Sequence, residues 1–343
     1  MKSALNALRL VYPPVSNQEG EWLKKDSEVE EMLRRSDLYM IGQRREAKFV
    51  WDKQNVLGFG VFGGQGIRFK FEIPGVATSE VELSIEKDLR SSKTLYYDVG
   101  DKHVRCSLKP QKGEEIGEVV WWYSTESLLW SKWRGDPRIK GLDNYREFTE
   151  YDLHYVGIST DQDSYDRLLA NAHHKRVAIL SNETQYVPDA RLTDEIYLFF
   201  FQSDPLFIRA FDEVDDFSSF GAPMPFTEKQ ASADAEKAFS KLLQPEYNTV
   251  RFKTFPRGKN GLYGAGLARY AHVICEDITF KTPTARFRGS SFDDLLLGRT
   301  PGDAILVSGE EVELYQHKSK VNRRSGEKAP ILGSQGSSSA KRN

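Results

Sequence analysis

The chain has 343 residues, 39% hydrophobic and 29% charged, with 48 basic against 50 acidic side chains. That length suits about two domains with sizeable cores, and a net charge of −2 selects neither acidic nor basic partners. No apolar run approaches the ~18–20 residues of a helical membrane span, so no membrane partner is expected.

The N-terminal MKSALNALRLVYPP is interrupted by Arg9 and lacks a cleavage pattern of small residues, so no signal peptide is expected. Two distant cysteines, Cys106 and Cys275, cannot build a disulfide framework, which points to a reducing, cytoplasmic setting. Residues 19–36 place Trp22, Leu23, Val29, Met32 and Leu33 at helical spacing, so segment 1–45 reads as helical. From residue 46 the period becomes two. Ile67, Phe69, Phe71 and Ile73 alternate with charged residues, Val81, Leu83 and Ile85 alternate with polar ones, and Pro74-Gly75 supplies a turn. With VVWWY at 119–123 as a more buried strand, 46–135 reads as a β-rich domain. Gly58, Gly60 and Gly63 form a G-x-G-x-x-G, but a strand follows instead of the helix that a pyrophosphate site requires, so a turn is expected.

Beyond residue 135 the pattern changes. DLHYVGIS at 152–159 reads as strand, 164–180 as helix, EIYLFFF at 195–201 as buried strand, and 228–243 as helix ending before Pro245. Between them, Phe211–Phe226 reads as a loop whose acids Asp212, Glu213, Asp215 and Asp216 are solvated. This order suits a small α/β module. On a continuous 164–180 helix, Arg167, Asn171 and His174 share one face. A guanidinium there can fork onto phosphate oxygens. Glu236 sits beside the apolar Ala235 and Phe239, and a lone carboxylate with phosphate oxygens and waters makes an ordinary magnesium site. No zinc-ligand spacing, P-loop or G-x-S-x-G elbow occurs.

From Thr249 to Ser290 eight basic residues face only Glu276 and Asp277, with aromatic residues interleaved. Cations that neutralise phosphates beside aromatic faces suit a nucleic-acid surface. Residues 316–343 are rich in Ser, Gly and Lys without further aromatics, so a disordered tail is expected.

Residues 144–250 resemble the GIY-YIG nuclease superfamily. Tyr155-Val156-Gly157 matches its YIG element, Arg167 its helix arginine, Glu236 its metal-binding glutamate, and Asn248 in QPEYN its trailing asparagine. No literal GIY precedes Tyr155; Tyr145, ten residues upstream, takes that place, with Tyr151 as competitor. The resemblance implies hydrolysis of a nucleic-acid phosphodiester with one Mg²⁺ or Mn²⁺ on Glu236. Tyr145 or Tyr155 would activate water, Arg167 would steady the phosphate, His174 or His173 would relay a proton, and Asn248 would fix the loop or the substrate. Lys175, Arg176, Arg251, Lys253, Arg257 and Lys259 are the expected substrate-binding cations.

The expected fold class is therefore α+β. A helical segment (1–45) and a β-rich domain (46–135) precede a GIY-YIG-like α/β module with a basic extension (140–290), then a C-terminal segment and disordered tail (291–343). The expected protein is a metal-dependent endonuclease acting on double-stranded DNA in restriction, repair or defence. A homodimer is one way for a single site per chain to cut both strands. The alternatives are a non-catalytic nucleic-acid-binding protein on the same fold and a β-domain interaction protein.

Overall fold

A computed structural model describes residues 1–51, 66–85, 95–110, 112, 117–159, 165–170, 173–210, 223–291, 294 and 302–317. The triplet Gly58, Gly60 and Gly63, the acids Asp212, Glu213, Asp215 and Asp216, Asn171 and the tail from 318 lie outside them.

The chain begins as strand β1 (Lys2–Leu10), followed by β2 (Val15–Ser16), α1 (Asn17–Leu23), α2 (Ser27–Leu33) and β3 (Leu38–Gln43). The single helix expected over 19–36 is thus two short ones. Asp26 starts the second, its carboxylate accepting from the amides of Glu28 (3.0 Å) and Val29 (3.2 Å). The segment read as helical also supplies three strands. All six residues of β3 are buried, so it carries no polar–apolar alternation to betray it.

Next come β4 (Lys48–Val50), β5 (Gly66–Ile73), β6 (Ala77–Ser84), β7 (Leu95–Val99), β8 (His103–Leu108), β9 (Val119–Ser124), helix α3 (Thr125–Trp133) and β10 (Ile139–Gly141). They form two small sheets, ordered β10-β6-β5-β4 and β7-β8-β9. The alternating segments are strands, as their spacing predicts. Phe69, Phe71, Val81 and Leu83 point inward, and Gly75 turns between β5 and β6 at φ +72°.

A 3-10 turn (Tyr145–Phe148) leads into β11 (Glu150–Ile158). A π-turn (Asp166–Ala170), α4 (His174–Asn182), β12 (Ile196–Arg209) and α5 (Glu228–Leu243) follow. Strands β13 (Arg269–Ile274), β14 (Thr279–Lys281), β15 (Arg286–Arg288), β16 (Ala304–Ser308) and β17 (Glu311–Tyr315) complete the described chain. Helix α5 begins with a reciprocal cap. Thr227 Oγ1 accepts the Gln230 amide (3.2 Å), and Gln230 Oε1 accepts the Thr227 amide (2.8 Å). Gln244 closes it in a left-handed conformation before Pro245.

The main sheet runs β15-β14-β11-β3-β12-β1-β13-β16-β17, with β2 on β12. Strands β3 and β11 are antiparallel neighbours, with Tyr39 opposite Gly157 and Ile41 opposite Tyr155. Everything from β4 to β10 is therefore inserted between two adjacent strands. One sheet face buries Tyr151, Phe199 and Phe201 with Ala235 and Phe239 of α5. The other buries Tyr39, Ile41, Tyr155, Leu198 and Phe200 with Leu168, Leu169 and Ile179.

Two buried ionic clasps tie the insertion to the sheet. Arg44 pairs with Glu126 and donates to Tyr197 Oη (3.3 Å), while Tyr151 Oη donates to Glu126 (2.7 Å). Glu276 accepts from Leu10 N (2.9 Å), Trp133 Nε1 (2.9 Å) and Arg134 (2.6 Å). The protein mixes helix and strand around one large sheet. Among the described residues no helix is long and apolar enough to cross a membrane. Both cysteines are buried and unpaired.

Candidate active site

Tyr39 and Tyr155 lie on the same face of the β3–β11 pair, their ring centroids 6.0 Å apart. Both are buried, Tyr39 completely and Tyr155 to 8% exposure. Gly157 makes this approach possible. A Cβ there would stand 2.7 Å from a ring carbon of Tyr155 and 2.7 Å from Cζ and Oη of Tyr39. Such a contact is far inside van der Waals distance, so a side chain at 157 would push the two phenols apart.

The rest of the chemistry comes from the segment after β11. The chain does not continue as one helix from 164 to 180. It makes the π-turn carrying Arg167, then restarts at His174. His173 leaves helical geometry to cap α4, its Nδ1 accepting the Arg176 amide (3.4 Å). That conformation turns His173 inward, 5.6 Å by ring centroids from both Tyr39 and Tyr155. His174, the expected proton relay, is exposed beside it.

Burial, reinforced by the charges of Arg167, His174, Arg176 and Lys175, pushes the His173 pKa down to about 4, so its ring is neutral near pH 7. A neutral imidazole has one N–H. Since Nδ1 accepts, Nε2 carries the proton and donates to Tyr39 Oη at 3.1 Å. Tyr39 in turn lies beside Tyr155 and lowers its pKa, which favours the phenolate of Tyr155 over its own. A directed chain therefore runs from the Arg176 amide through His173 to the oxygen of Tyr39, beside the Tyr155 ring. Burial raises both phenol pKa values; Glu236 raises them further and Arg167 opposes the rise.

Arg167 donates to Ile158 O (2.7 Å), which anchors it at the end of β11, and its Cζ stands 6.0 Å from the Tyr39 ring centroid. Glu236 comes from α5, which packs across the β11–β3–β12 face, and its charge bears on both phenols. It is partly buried, with no hydrogen-bond partner among the described residues. Burial raises its pKa to about 7, against the lowering pull of Arg167 and Lys237. Asn248 ties α5 to β11. Its Oδ1 accepts Val156 N (2.9 Å), and its Nδ2 donates to Val156 O (2.7 Å) and Ser240 Oγ (3.1 Å). With every polar atom so engaged and 5% exposure, Asn248 positions the strand between Tyr155 and Gly157 instead of contacting a substrate.

The cluster thus joins Tyr155, Arg167 and Glu236 as the sequence predicts, with His173 in place of His174. It does not include Tyr145. That residue packs toward the opposite face of the sheet and donates to Asp277 (2.5 Å), which also binds Arg146 and the Ser291 amide. Its competitor Tyr151 is buried on that face against Glu126. Tyr39 holds the place assigned to Tyr145. The signal was present in Leu38-Tyr39-Met40-Ile41-Gly42, a tyrosine on an apolar stretch. It stands over a hundred positions before Tyr155, because the β4–β10 insertion separates the two strands.

The expected substrate cations divide. Arg176 is buried and consumed by Asn17 Oδ1 (2.5 Å), Leu168 O (2.6 Å) and Glu21 (2.7 Å), so it braces α1 against α4. Arg257 is exposed but paired with Glu310 (3.0 Å). Arg251, Lys253 and Lys259 are exposed on the loop that follows Asn248, and Lys175 is partly exposed beside His174. That loop lies on the Asp234–Lys241 face of α5, since Lys237 donates to Asn260 O (2.5 Å) and Lys241 to Phe255 O (2.6 Å).

A divalent cation fits these residues in one way. Among the described residues no three potential ligands gather into a protein-made cage. Glu236 does offer a partly buried carboxylate without a hydrogen-bond partner, as Mg²⁺ or Mn²⁺ needs when phosphate oxygens and waters supply the remaining ligands. Comparison with family models, curated proteins and solved structures finds no match to this chain.

Proposed function

We propose that the protein is a divalent-metal-dependent endonuclease whose catalytic module is of the GIY-YIG type. The supporting observation is the convergence of two phenols, an imidazole, a guanidinium and an unpartnered carboxylate from β3, β11, the π-turn, the α4 cap and α5. These are the groups that phosphodiester hydrolysis needs: a water-orienting base, a cation for the developing phosphorane charge, and a metal ligand.

Tyr155 holds the attacking water. Its burial keeps it a phenol in the free protein, and the cation Arg167 and the neighbouring Tyr39 favour its deprotonation. His173 stays neutral and donating, so it positions Tyr39 and takes up no proton. Arg167 bears on the non-bridging phosphate oxygens. When bound to Glu236, Mg²⁺ or Mn²⁺ polarises the phosphoryl group and stabilises the leaving oxygen. Arg251, Lys253 and Lys259 hold the backbone of the nucleic acid, taken as double-stranded DNA.

Incubation with plasmid and Mg²⁺ tests this. Nicking is expected for the native protein, with a fall of at least about 10²-fold in both Glu236→Gln and Arg167→Ala. Retained binding without cutting by the native protein would leave a binding module, and neither binding nor cutting an interaction protein.

A further inference from the structure

A concavity lies against α1. It has a volume of about 160 Å³ and is walled by Tyr12, Pro13, Trp22, Leu23 and Trp122, with Glu19 facing into it. We propose that this cavity receives one unstacked, amino-bearing pyrimidine base, of cytosine chemistry, from the nucleic-acid substrate. The proposal deepens the nuclease reading and rests on it for the identity of the substrate.

Three observations carry it. The first is size: about 150 Å³ of apolar cavity accommodates a single six-membered ring, so the space suits a pyrimidine better than a bicyclic purine. An open groove of about 470 Å³ continues from the mouth past Trp22, leaving room for a sugar outside. The second is the lining. Trp22 and Trp122 stand at the mouth, 63% and 45% exposed, as aromatic faces on which a base can stack.

The third is the polarity of Glu19, since the other two carboxylates of the lining, Glu46 and Asp194, are bound by Lys102. Glu19 Oε2 is held by the Ser16 amide at 3.0 Å, and Ser16 Oγ caps α1 in return. Oε1 has no partner among the described residues. Lys102, the nearby cation, is already bridged to Glu46 (2.6 Å) and Asp194 (2.8 Å). An ionised Glu19 therefore offers an acceptor to a ligand's N–H. Cytosine presents a donor amino group where uracil and thymine present a carbonyl.

The cavity also adjoins the catalytic groups. Tyr12 and Leu23 line it and pack against the core that holds Tyr39 and Tyr155. Asn17 and Glu21 of α1 bind Arg176 beside His173.

The test uses cytidine, uridine and adenosine with ¹⁵N-labelled full-length protein at pH 8. It follows the indole N–H signals of Trp22 and Trp122, assigned with W22F and W122F. Cytidine is expected to shift both signals with an affinity at least about fivefold above uridine and adenosine. In Glu19→Gln the Ser16 amide keeps the amide oxygen and the NH₂ group faces the cavity, so an acceptor becomes a donor while the cap survives. Uridine is then expected to bind more tightly than cytidine. Absence of a cytidine response, equal response to all three nucleosides, or an unchanged order in Glu19→Gln overturns the proposal. Plasmid cleavage is measured on the same sample. Cleavage without cytidine binding overturns the cavity alone, whereas cytidine binding without cleavage supports the cavity and overturns the nuclease reading.

Discussion

Two tyrosines compete for one role, and their surroundings separate them. Tyr145 spends its hydroxyl on Asp277 on the opposite sheet face, whereas Tyr39 is bonded to His173 beside Tyr155. Tyr39→Phe removes the hydroxyl that His173 holds beside Tyr155 and is expected to lower the cleavage rate by about 10²-fold, a typical share for one positioned proton-handling group. Tyr145→Phe is expected to leave the rate within about twofold and to cost only stability. Single-turnover cleavage of both variants checks the assignment; equal loss in each would be fatal to it.

The same scale contains a pH effect. Glu236 has its pKa raised from an ordinary value near 4.5 to about 7 by burial, so its protonated form is the one the fold favours. The stability it contributes is complete below about pH 4.5 and is lost as pH rises through 7, by up to about 3 kcal/mol. Metal binding requires the opposite state. Cleavage should therefore rise with pH between about 6 and 8, and the rise should move to lower pH as Mg²⁺ increases. A pH–rate profile that Mg²⁺ concentration does not displace would remove Glu236 from metal binding.

At the scale of elements, the site depends on how β11 is held. Beyond its pairing with β14, it has β3 on one side, while on the other the Tyr247 amide meets His154 O and the Asn248 carboxamide meets Val156. Asn248→Ala leaves a buried N–H and C=O of Val156 without partners, at a cost of about 2–4 kcal/mol. Asn248→Asp keeps the acceptor but loses the donor, so it should fall between alanine and the native residue. Gly157→Ala places a methyl group against both phenols and should cost about 1–3 kcal/mol through overpacking. Urea unfolding measures each loss. Gly157→Ala should also disturb the tyrosine ring signals by NMR, which a purely local backbone effect would not do.

The molecule as a whole divides its charges between structure and surface. Glu276 and Asp277, the only acids of the basic 249–290 stretch, are turned inward as clasps for Arg134 and Arg146. Arg176 is likewise internal, so its replacement by Gln should lower stability and leave the salt dependence of DNA binding unchanged. Lys253→Gln and Lys259→Gln should each flatten the slope of log K against log salt by about 0.9, without altering the melting temperature. Fluorescence binding at several salt concentrations, paired with thermal melts, separates the two kinds of cation.

Local pattern was sufficient for much of this protein. The period-two strands around Pro74-Gly75, the VVWWY strand, the buried EIYLFFF strand and the capped helix ending before Pro245 all follow from spacing and turn chemistry. Tyr155, Arg167 and Glu236 were named from that same stretch of chain, through their residue types and the resemblance they carry. What tertiary structure alone decided is which side chains meet them. Strand pairing depends on contacts between segments that no local period encodes, so the partnership of β3 with β11 across the inserted sheets was invisible and Tyr39 with it. The break between the π-turn and α4 had the same origin. Packing against the tyrosine face turns His173 inward and leaves His174 in solvent, although an uninterrupted helix would have presented His174 beside Arg167.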